Sequence, residues 1–133
     1  MTFASDGVVC DASVAAAIAY GEPLSDRAQT LVGVKRLLAP ALFRYEMANI
    51  LVRKCRFAPD DASRFEKAFL DSLRIPIRLV DPSWPAVVEI ARENGLSAYD
   101  AAYLQLALEL RVPLATLDER LGQAAAKLGV RAG

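Results

Sequence analysis

The chain has 133 residues, a length that favours one domain with its own hydrophobic core, and we expect a single domain over residues 1–133. Its 16 Lys and Arg residues equal its 16 Asp and Glu residues, so the net charge carries no nucleic-acid signature and any basic surface must be local. The absence of histidine excludes histidine-based catalysis and histidine metal ligands. The two cysteines lack Cys-x-x-Cys spacing, which argues against a zinc site or a disulfide framework.

The beginning of the chain lacks the basic and apolar regions of a signal peptide. No apolar run approaches the roughly 18 residues that cross a membrane. We therefore expect a cytoplasmic protein without a membrane segment.

Short apolar segments typical of strands alternate along the chain with segments that have the periodicity of helices. Short apolar, β-branched runs predict strands at residues 8–10, 35–39, 77–80 and 114–116, and a last short strand at 130–131. Helical spacing and stop signals predict helices at residues 13–20, 24–32, 41–57, from 59 onward, from 83 or 84 to 94, within 95–111, and at 118–128. This alternation predicts an α/β fold built from parallel βαβ units, with a sheet covered on both faces.

Ligands of such folds bind outside the carboxyl ends of the strands. Asp11 and Asp118 each follow a predicted strand and precede a predicted helix, so both belong to that edge of the sheet. Each aspartate could also serve only as the N-cap of the helix that follows it. Both explanations remain open for each residue taken alone.

The helix within residues 95–111 carries a carboxylate where an apolar side chain is expected. Its apolar arc is formed by Tyr103, Leu104, Leu106, Ala107, Leu108 and Leu110. Asp100 falls in the middle of this arc, and a buried carboxylate costs several kcal/mol unless it has a partner, a proton or a metal. The alternative is a capping box, in which Ser97 is the N-cap and Asp100 the third helical residue.

A further acid, Glu46, lies on the predicted helix 41–57. Glu46, Asn49 and Arg53 follow at i, i+3 and i+7 and form a narrow polar seam. Apolar side chains flank this seam on both sides, Phe43 and Ile50 on one, Tyr45 and Val52 on the other. A Glu46–Arg53 ion pair would explain the seam structurally, but an active-site carboxylate with a polar neighbour explains it better.

Four acids at such places, in a chain without histidine, indicate a hard divalent cation. Mg²⁺ and Mn²⁺ prefer oxygen ligands, and a bound cation relieves the repulsion between clustered carboxylates. Such ions commonly serve phosphoryl chemistry, by activating water and stabilising negative charge.

Four segments of the chain resemble the successive motifs of one family, the PIN-domain ribonucleases of the VapC toxin type. The segments are VVCDASV, APALFRYEMANIL, GLSAYDAAYLQLA and LATLDERL. Each motif alone is weak, but four in register over nearly the whole chain are specific. The resemblance implies a three-layer α/β/α fold on a short parallel sheet and Mg²⁺- or Mn²⁺-dependent endoribonuclease activity. It also implies an RNA substrate, a cognate antitoxin as inhibitor, and a homodimer as the expected assembly.

The resemblance also implies roles for particular residues. The catalytic and metal-binding quartet would be Asp11, Glu46, Asp100 and Asp118, accompanied by the polar residues Ser13, Asn49 and Thr116. The departures from the family pattern are mild. Met47 lies where a small aliphatic residue is more usual, and roughly six residues precede the first predicted strand.

Local basic residues must supply the RNA contacts of a chain with balanced charge. Arg53, Lys54 and Arg56 follow Glu46 on the same helix, and Arg120 comes just after Asp118. We expect Arg53 and Arg120 to bind phosphates on either side of the scissile bond. A solvated basic face is an equally good explanation for Lys54 and Arg56.

Three other functions fit parts of the pattern. A phosphatase of the haloacid dehalogenase type would use Asp11 as nucleophile, but its motif requires a second Asp where this chain has Ser13. A receiver-like switch requires a Lys at the end of a late strand, and residues 114–116 contain none. A PIN-fold module without activity would serve only for binding, and the complete acidic quartet argues against it.

Overall fold

Residues 6–133 are described by a computed structural model, which contains one parallel four-stranded sheet. Its strands are β1 (Gly7–Cys10), β2 (Arg36–Ala39), β3 (Ile77–Leu79) and β4 (Leu114–Ala115). All pairings are parallel, and the spatial order is β3-β2-β1-β4. The predicted α/β class and short parallel sheet are therefore confirmed, with strand ends within about one residue of the predictions.

Seven α-helices connect and flank these strands within residues 6–133. They are α1 (Ala12–Ala19), α2 (Ser25–Val32), α3 (Leu42–Phe57), α4 (Ala62–Ser72), α5 (Trp84–Asn94), α6 (Ala98–Leu110) and α7 (Glu119–Lys127). A 3₁₀ turn at Pro59–Asp61 precedes α4. None of the helices in this part of the chain has the length and apolarity needed to cross a bilayer.

The strand predicted at residues 130–131 does not form. Only one parallel bridge, between Leu114 and Ala132, joins this segment to the sheet. The Leu114 N–H donates to the carbonyl of Arg131 over 2.9 Å, but β4 is only two residues long. It is therefore too short to pair with another strand over several residues, and the segment after α7 remains irregular.

Side chains of β1 alternate between the two faces of the sheet, as expected for a strand. Val8 and Cys10 belong to one buried cluster, with residues of α1 and α2. Val9 points the other way, into a larger cluster with Leu104 of α6 and Leu121 of α7. Helices thus cover both faces, which agrees with the predicted three-layer arrangement.

The order of the strands determines where a ligand can bind. From β1 the chain moves to β2 and β3 on one side, and then returns to place β4 on the other side of β1. This change of direction creates a crevice between the carboxyl ends of β1 and β4, where ligands of open α/β sheets bind. Asp11 follows β1 and Thr116 follows β4, so both side chains lie at this crevice.

A residue far along the chain completes the start of α3. Ala41 precedes the helix and has no side chain that can cap it. Asp81, just after β3, supplies the cap, because its Oδ1 accepts a hydrogen bond of 2.9 Å from the Ala41 N–H. The sheet edge therefore stabilises the N-terminus of the helix that carries Glu46.

Candidate active site

The crevice at the carboxyl ends of β1 and β4 contains a cavity of about 230 Å³. It is lined by Asp11, Ala12, Ser13, Glu46, Asn49, Ile50, Arg53, Asp100, Tyr103 and Asp118. All four acids of the predicted quartet therefore line one cavity, although they come from four separate parts of the chain. We call this cavity, with its four carboxylates, the acid pocket.

Asp11 forms the buried floor of the acid pocket, with only 6% of its surface exposed. Its Oδ1 accepts hydrogen bonds from the Val14 N–H over 3.1 Å and from the Ser13 hydroxyl over 2.6 Å. Its Oδ2 accepts one from the Thr116 hydroxyl over 2.5 Å. Burial nevertheless raises the pKa of Asp11, because desolvation outweighs the opposing effect of these hydrogen bonds.

The same hydroxyl groups connect the ends of β1 and β4. The Ser13 hydroxyl oxygen accepts a hydrogen bond of 3.1 Å from the Leu117 N–H. The Thr116 hydroxyl oxygen accepts one of 3.0 Å from the Asp118 N–H. Both predicted supporting residues of this region thus contact the floor directly and fix the position of Asp11.

Both aspartates at the strand ends act as N-caps, as one of the two explanations predicted. Asp11 caps α1, and the Oδ1 of Asp118 caps α7 by accepting from the Leu121 N–H over 2.9 Å. Capping does not account for both residues fully, because both also line the acid pocket. Within residues 6–133, the Oδ2 of Asp118 accepts no hydrogen bond, and the residue is exposed.

Tyr103 contacts Glu46 and was not identified from the sequence as part of the site. Its buried hydroxyl donates a 2.6 Å hydrogen bond to the Oε1 of Glu46, 57 residues away in the chain. Burial raises the pKa of Glu46, the Tyr103 hydrogen bond lowers it, and the charges of Asp100 and Asp11 raise it again. A tyrosine within an otherwise aliphatic arc was the available signal, since a buried hydroxyl needs a partner.

Asp100 has fewer partners than any other acid of the pocket. The Ser97 hydroxyl accepts a hydrogen bond of 3.1 Å from the Asp100 N–H, so Ser97 caps α6 as predicted. The reciprocal bond of a capping box is missing, because the Asp100 carboxylate accepts no hydrogen bond from residues 6–133. Burial and then the Asp118 charge raise the pKa of Asp100, whereas Arg120 lowers it. Half a capping box is therefore formed, and the carboxylate plays no part in it.

The polar seam on α3 is wider than predicted. Phe43 is buried, but the opposite flank is open to solvent, with Tyr45 79% and Val52 40% exposed. The seam is therefore part of a broader exposed face, because only one side of α3 contacts the core. The alternative ion pair is also not formed, since no salt bridge joins Glu46 to Arg53 within the described chain.

The basic residues near the site have different environments. Lys54 lies 2.5 Å from a carboxylate oxygen of Glu22, and its ammonium faces the rings of Tyr20 and Phe65 at 4.8 and 5.5 Å. Lys54 is thus part of the packing between α1, α3 and α4. Arg53, by contrast, lines the acid pocket and is exposed.

Arg120 does not line the acid pocket. Its guanidinium donates a 2.5 Å hydrogen bond to the carbonyl of Gly95, in the turn between α5 and α6. A Cβ added at Gly95 would come within 3.2 Å of that guanidinium, so the contact is close. The predicted role of Arg120 in binding phosphate remains a prediction.

The donors of the acid pocket fit a hard divalent cation in kind, since all are carboxylate oxygens. Among residues 6–133, however, no three Asp, Glu or Cys side chains are arranged to hold one metal ion together. Mg²⁺ commonly binds through one or two carboxylates and keeps several waters, so a closed cage of side chains is not required. The raised pKa values of Asp11, Glu46 and Asp100 show that these acids repel one another and are partly desolvated.

The fold agrees with comparisons to known proteins. The family model for the PIN domain matches residues 8–127. The chain therefore belongs to the PIN-domain family. The predicted resemblance to PIN-domain ribonucleases of the VapC type is confirmed by two relatives from the archaeon Pyrobaculum aerophilum.

One relative is Ribonuclease VapC3, 31% identical over 127 residues that span 87% of this chain and 92% of that protein. Another is Exonuclease VapC9, 36% identical over 80 residues, which is 58% of either chain. The crystal structure of PAE2754, from the same organism, superimposes with a TM-score of 0.64 at 30% identity, covering 89% of this chain and 84% of the other. The fold is thus shared with this solved structure.

Proposed function

We propose that this protein is a Mg²⁺- or Mn²⁺-dependent endoribonuclease and the toxin of a toxin–antitoxin pair. The observation that carries the proposal is the acid pocket, in which four carboxylates line one cavity at the carboxyl ends of β1 and β4, where the strand order changes direction. The relatives named as VapC nucleases support the same chemistry. Histidine, the commonest general base, is absent, so we assign the acid–base step to the carboxylates that line the cavity.

The residues that would hold the ion are Asp11, Glu46, Asp100 and Asp118. A bound divalent ion lowers the pKa of water and stabilises the negative charge that develops on a phosphate. Asp11 contributes a fixed position, because three hydrogen bonds and burial leave its carboxylate one orientation. Asp100 and Asp118 contribute open oxygens that no hydrogen bond from residues 6–133 occupies.

Glu46 is suited to accept a proton from the attacking water. Its Oε1 is occupied by the Tyr103 hydroxyl, while its Oε2 accepts no hydrogen bond within the described part of the chain. Its raised pKa increases its strength as a base. Arg53, which lines the pocket, would bind a phosphate next to the scissile bond. In-line attack of water on phosphorus would then leave a 5′-phosphate end and a 3′-hydroxyl end.

The antitoxin is proposed to neutralise the same charges. An inhibitor that inserts a basic side chain into the acid pocket would pair with the open oxygens of Asp100 and Asp118. We therefore expect the gene to be tolerated only beside its antitoxin. Harmless overexpression of the lone wild-type chain, with soluble protein demonstrated, would contradict the toxin assignment. The expected homodimer is tested separately by sedimentation.

Cleavage of a linear and a circular single-stranded RNA tests the activity itself. We expect both to be cut with Mg²⁺ or Mn²⁺ and neither with EDTA. Cleavage of only the linear RNA would make the protein an exonuclease, the activity named for one relative. No cleavage of either RNA with either ion would leave a PIN-fold binding module.

A further inference from the structure

One face of α3 carries four exposed side chains that the proposed chemistry uses only in part. Tyr45, Asn49, Arg53 and Arg56 follow one another at i, i+4, i+8 and i+11, so they form one stripe on the helix surface. All four are exposed, and Tyr45 is the most exposed tyrosine of the described chain, at 79%. We call these four residues the α3 stripe.

The α3 stripe runs along the opening of the acid pocket. Its middle residues, Asn49 and Arg53, line that pocket beside Glu46. Tyr45 lies one helical turn before Asn49 and Arg56 one turn after Arg53, since residues four or three apart are neighbours on a helix. At 1.5 Å per residue the stripe is about 16 Å long, the length of a few nucleotides.

Within residues 6–133, the only interaction of a stripe side chain is electrostatic, since the charge of Arg53 lowers the pKa of Glu46. No hydrogen bond, ion pair or ring contact involves the side chains of Tyr45, Asn49, Arg53 or Arg56 there. The neighbouring cation Lys54 shows the contrast, because Glu22 and two aromatic rings surround it. The two guanidiniums of the stripe are therefore available to an external anion, and the ring of Tyr45 to an external flat group.

The charge of the acid pocket makes such contacts necessary for an RNA substrate. Four carboxylates line the cavity against the single cation of Arg53, so the pocket itself repels phosphates. Affinity for a polyanion must come from its edges, and Arg53 and Arg56 are placed there. An exposed aromatic ring beside cationic groups is the usual composition of single-strand binding surfaces.

On the basis of the proposed nuclease function, we propose that the α3 stripe is a binding track for single-stranded RNA. Tyr45 stacks on one unpaired base, Asn49 contacts the adjoining nucleotide, and Arg53 and Arg56 bind backbone phosphates. Paired bases are already stacked on both faces and offer no ring to Tyr45. The enzyme therefore selects unpaired segments and excludes duplex RNA.

Fluorescence anisotropy with a labelled oligouridine, in EDTA, measures binding without cleavage. Replacing Tyr45 by Ala should weaken binding about ten-fold, within the range for loss of one stacked base, whereas Tyr45→Phe retains the ring and the affinity. Arg53→Gln and Arg56→Gln should each reduce the slope of log affinity against log salt by about 0.7. The matched control is Arg74→Gln, an exposed arginine in the segment before β3 that does not line the acid pocket.

Several results would overturn the track. These are undetectable binding by the wild type, equal affinity of Tyr45→Ala and wild type, an equal loss in Arg74→Gln and Arg53→Gln, or equal affinity for a duplex of the same length. A change in sedimentation of Tyr45→Ala without a change in RNA affinity would make the stripe a contact between protein chains instead. Binding without any cleavage by the wild type would refute the proposed nuclease alone. Cleavage with an unchanged KM in Tyr45→Ala and Arg53→Gln would refute the track alone.

Discussion

The floor and the wall of the acid pocket are built in opposite ways. Asp11, on the floor, is buried and its two oxygens accept three hydrogen bonds. Asp100, on the wall, is half-buried, and no residue from 6 to 133 donates to its carboxylate. The floor acid is thus part of the framework that joins β1 to β4. The wall acid carries a charge that Arg120 offsets only in part and that a proton or a bound cation would relieve further.

Replacing the wall acid should have the largest effect on activity. Asp100→Asn retains the shape of the side chain and the Ser97 cap, but removes the charge of a proposed metal ligand, and charge stabilisation by a metal is worth several kcal/mol. We expect cleavage to fall about a thousand-fold or more. In EDTA its melting temperature should equal or exceed that of the wild type, because less repulsion remains. Saturating Mn²⁺ should stabilise the wild type by about 2.7 kcal/mol at 100 Kd and the variant far less.

The matched control for this prediction is Asp60→Asn, which removes an exposed carboxylate from the 3₁₀ turn before α4. It should cleave RNA and respond to Mn²⁺ as the wild type does. An equal Mn²⁺-induced shift in Asp100→Asn and wild type would mean that Asp100 is not a ligand.

Replacing the floor acid should have the largest effect on stability. Asp11→Ala leaves the buried Val14 N–H without its acceptor and removes the acceptor of two hydroxyls. The expected loss in the free energy of unfolding is about 2–4 kcal/mol, measured by urea denaturation in EDTA. Asp11→Asn, which retains one acceptor oxygen, should lose clearly less. If Asp11→Ala lowered the free energy of unfolding no more than Asp100→Ala, the proposed difference between the floor acid and the wall acid would be wrong.

A smaller effect is expected from Tyr103, which positions Glu46 without being an acid itself. Tyr103→Phe removes only the hydroxyl that orients Oε1, and outer partners of this kind are typically worth about 10- to 100-fold in metal affinity or activity. Calorimetric titration with Mn²⁺ measures the affinity directly. The control is Tyr20→Phe, which removes a buried hydroxyl that has no partner in the described chain and should leave both quantities unchanged. Equal Mn²⁺ affinity and activity in Tyr103→Phe and wild type would contradict the positioning role.

The smallest effect is a difference in how stability depends on pH without metal. Because burial and the Asp118 charge raise the pKa of Asp100 above its usual 3.8, the folded protein holds this proton more tightly than the unfolded chain. Stability from this group is therefore present at low pH and is lost as pH rises from 3.8 through the raised pKa. Asp100→Asn lacks this titration and should lose less stability over that window. Parallel urea midpoints of the two proteins across this range would contradict the expectation.

The parts of the site that follow a strand were predictable from the sequence, and those that depend on distant contacts were not. Asp11 and Asp118 were predictable because a polar residue between an apolar run and a helix has a defined place in a parallel fold. The Tyr103–Glu46 bond joins two helices that are 57 residues apart, and no local pattern encodes such a pair. Lys54 illustrates the same difficulty, since its partner Glu22 lies in the turn between α1 and α2, and this distant contact makes Lys54 part of the packing.

Prediction of the elements was limited in a similar way. Periodicity and stop signals located the helices closely, but the length of β4 depends on its neighbours. Residues 130–131 have strand-like composition, yet β4 offers only two residues for pairing, so one bridge forms. The seam on α3 was predicted too narrow because an apolar residue such as Tyr45 does not reveal from sequence whether it faces the core or solvent.

The hydrogen bond between Thr116 and Asp11 also has a consequence during translation. It joins residues 105 positions apart, and ribosomes add about 5–20 residues per second, so roughly 5–20 s pass between the synthesis of the two partners. During that interval the nascent chain already contains Asp11 and Glu46, and later Asp100, but lacks the β4 segment that fixes Asp11. Asp118 follows β4 in the chain, so a product of translation that is interrupted before β4 carries three of the four acids and cannot form the complete pocket.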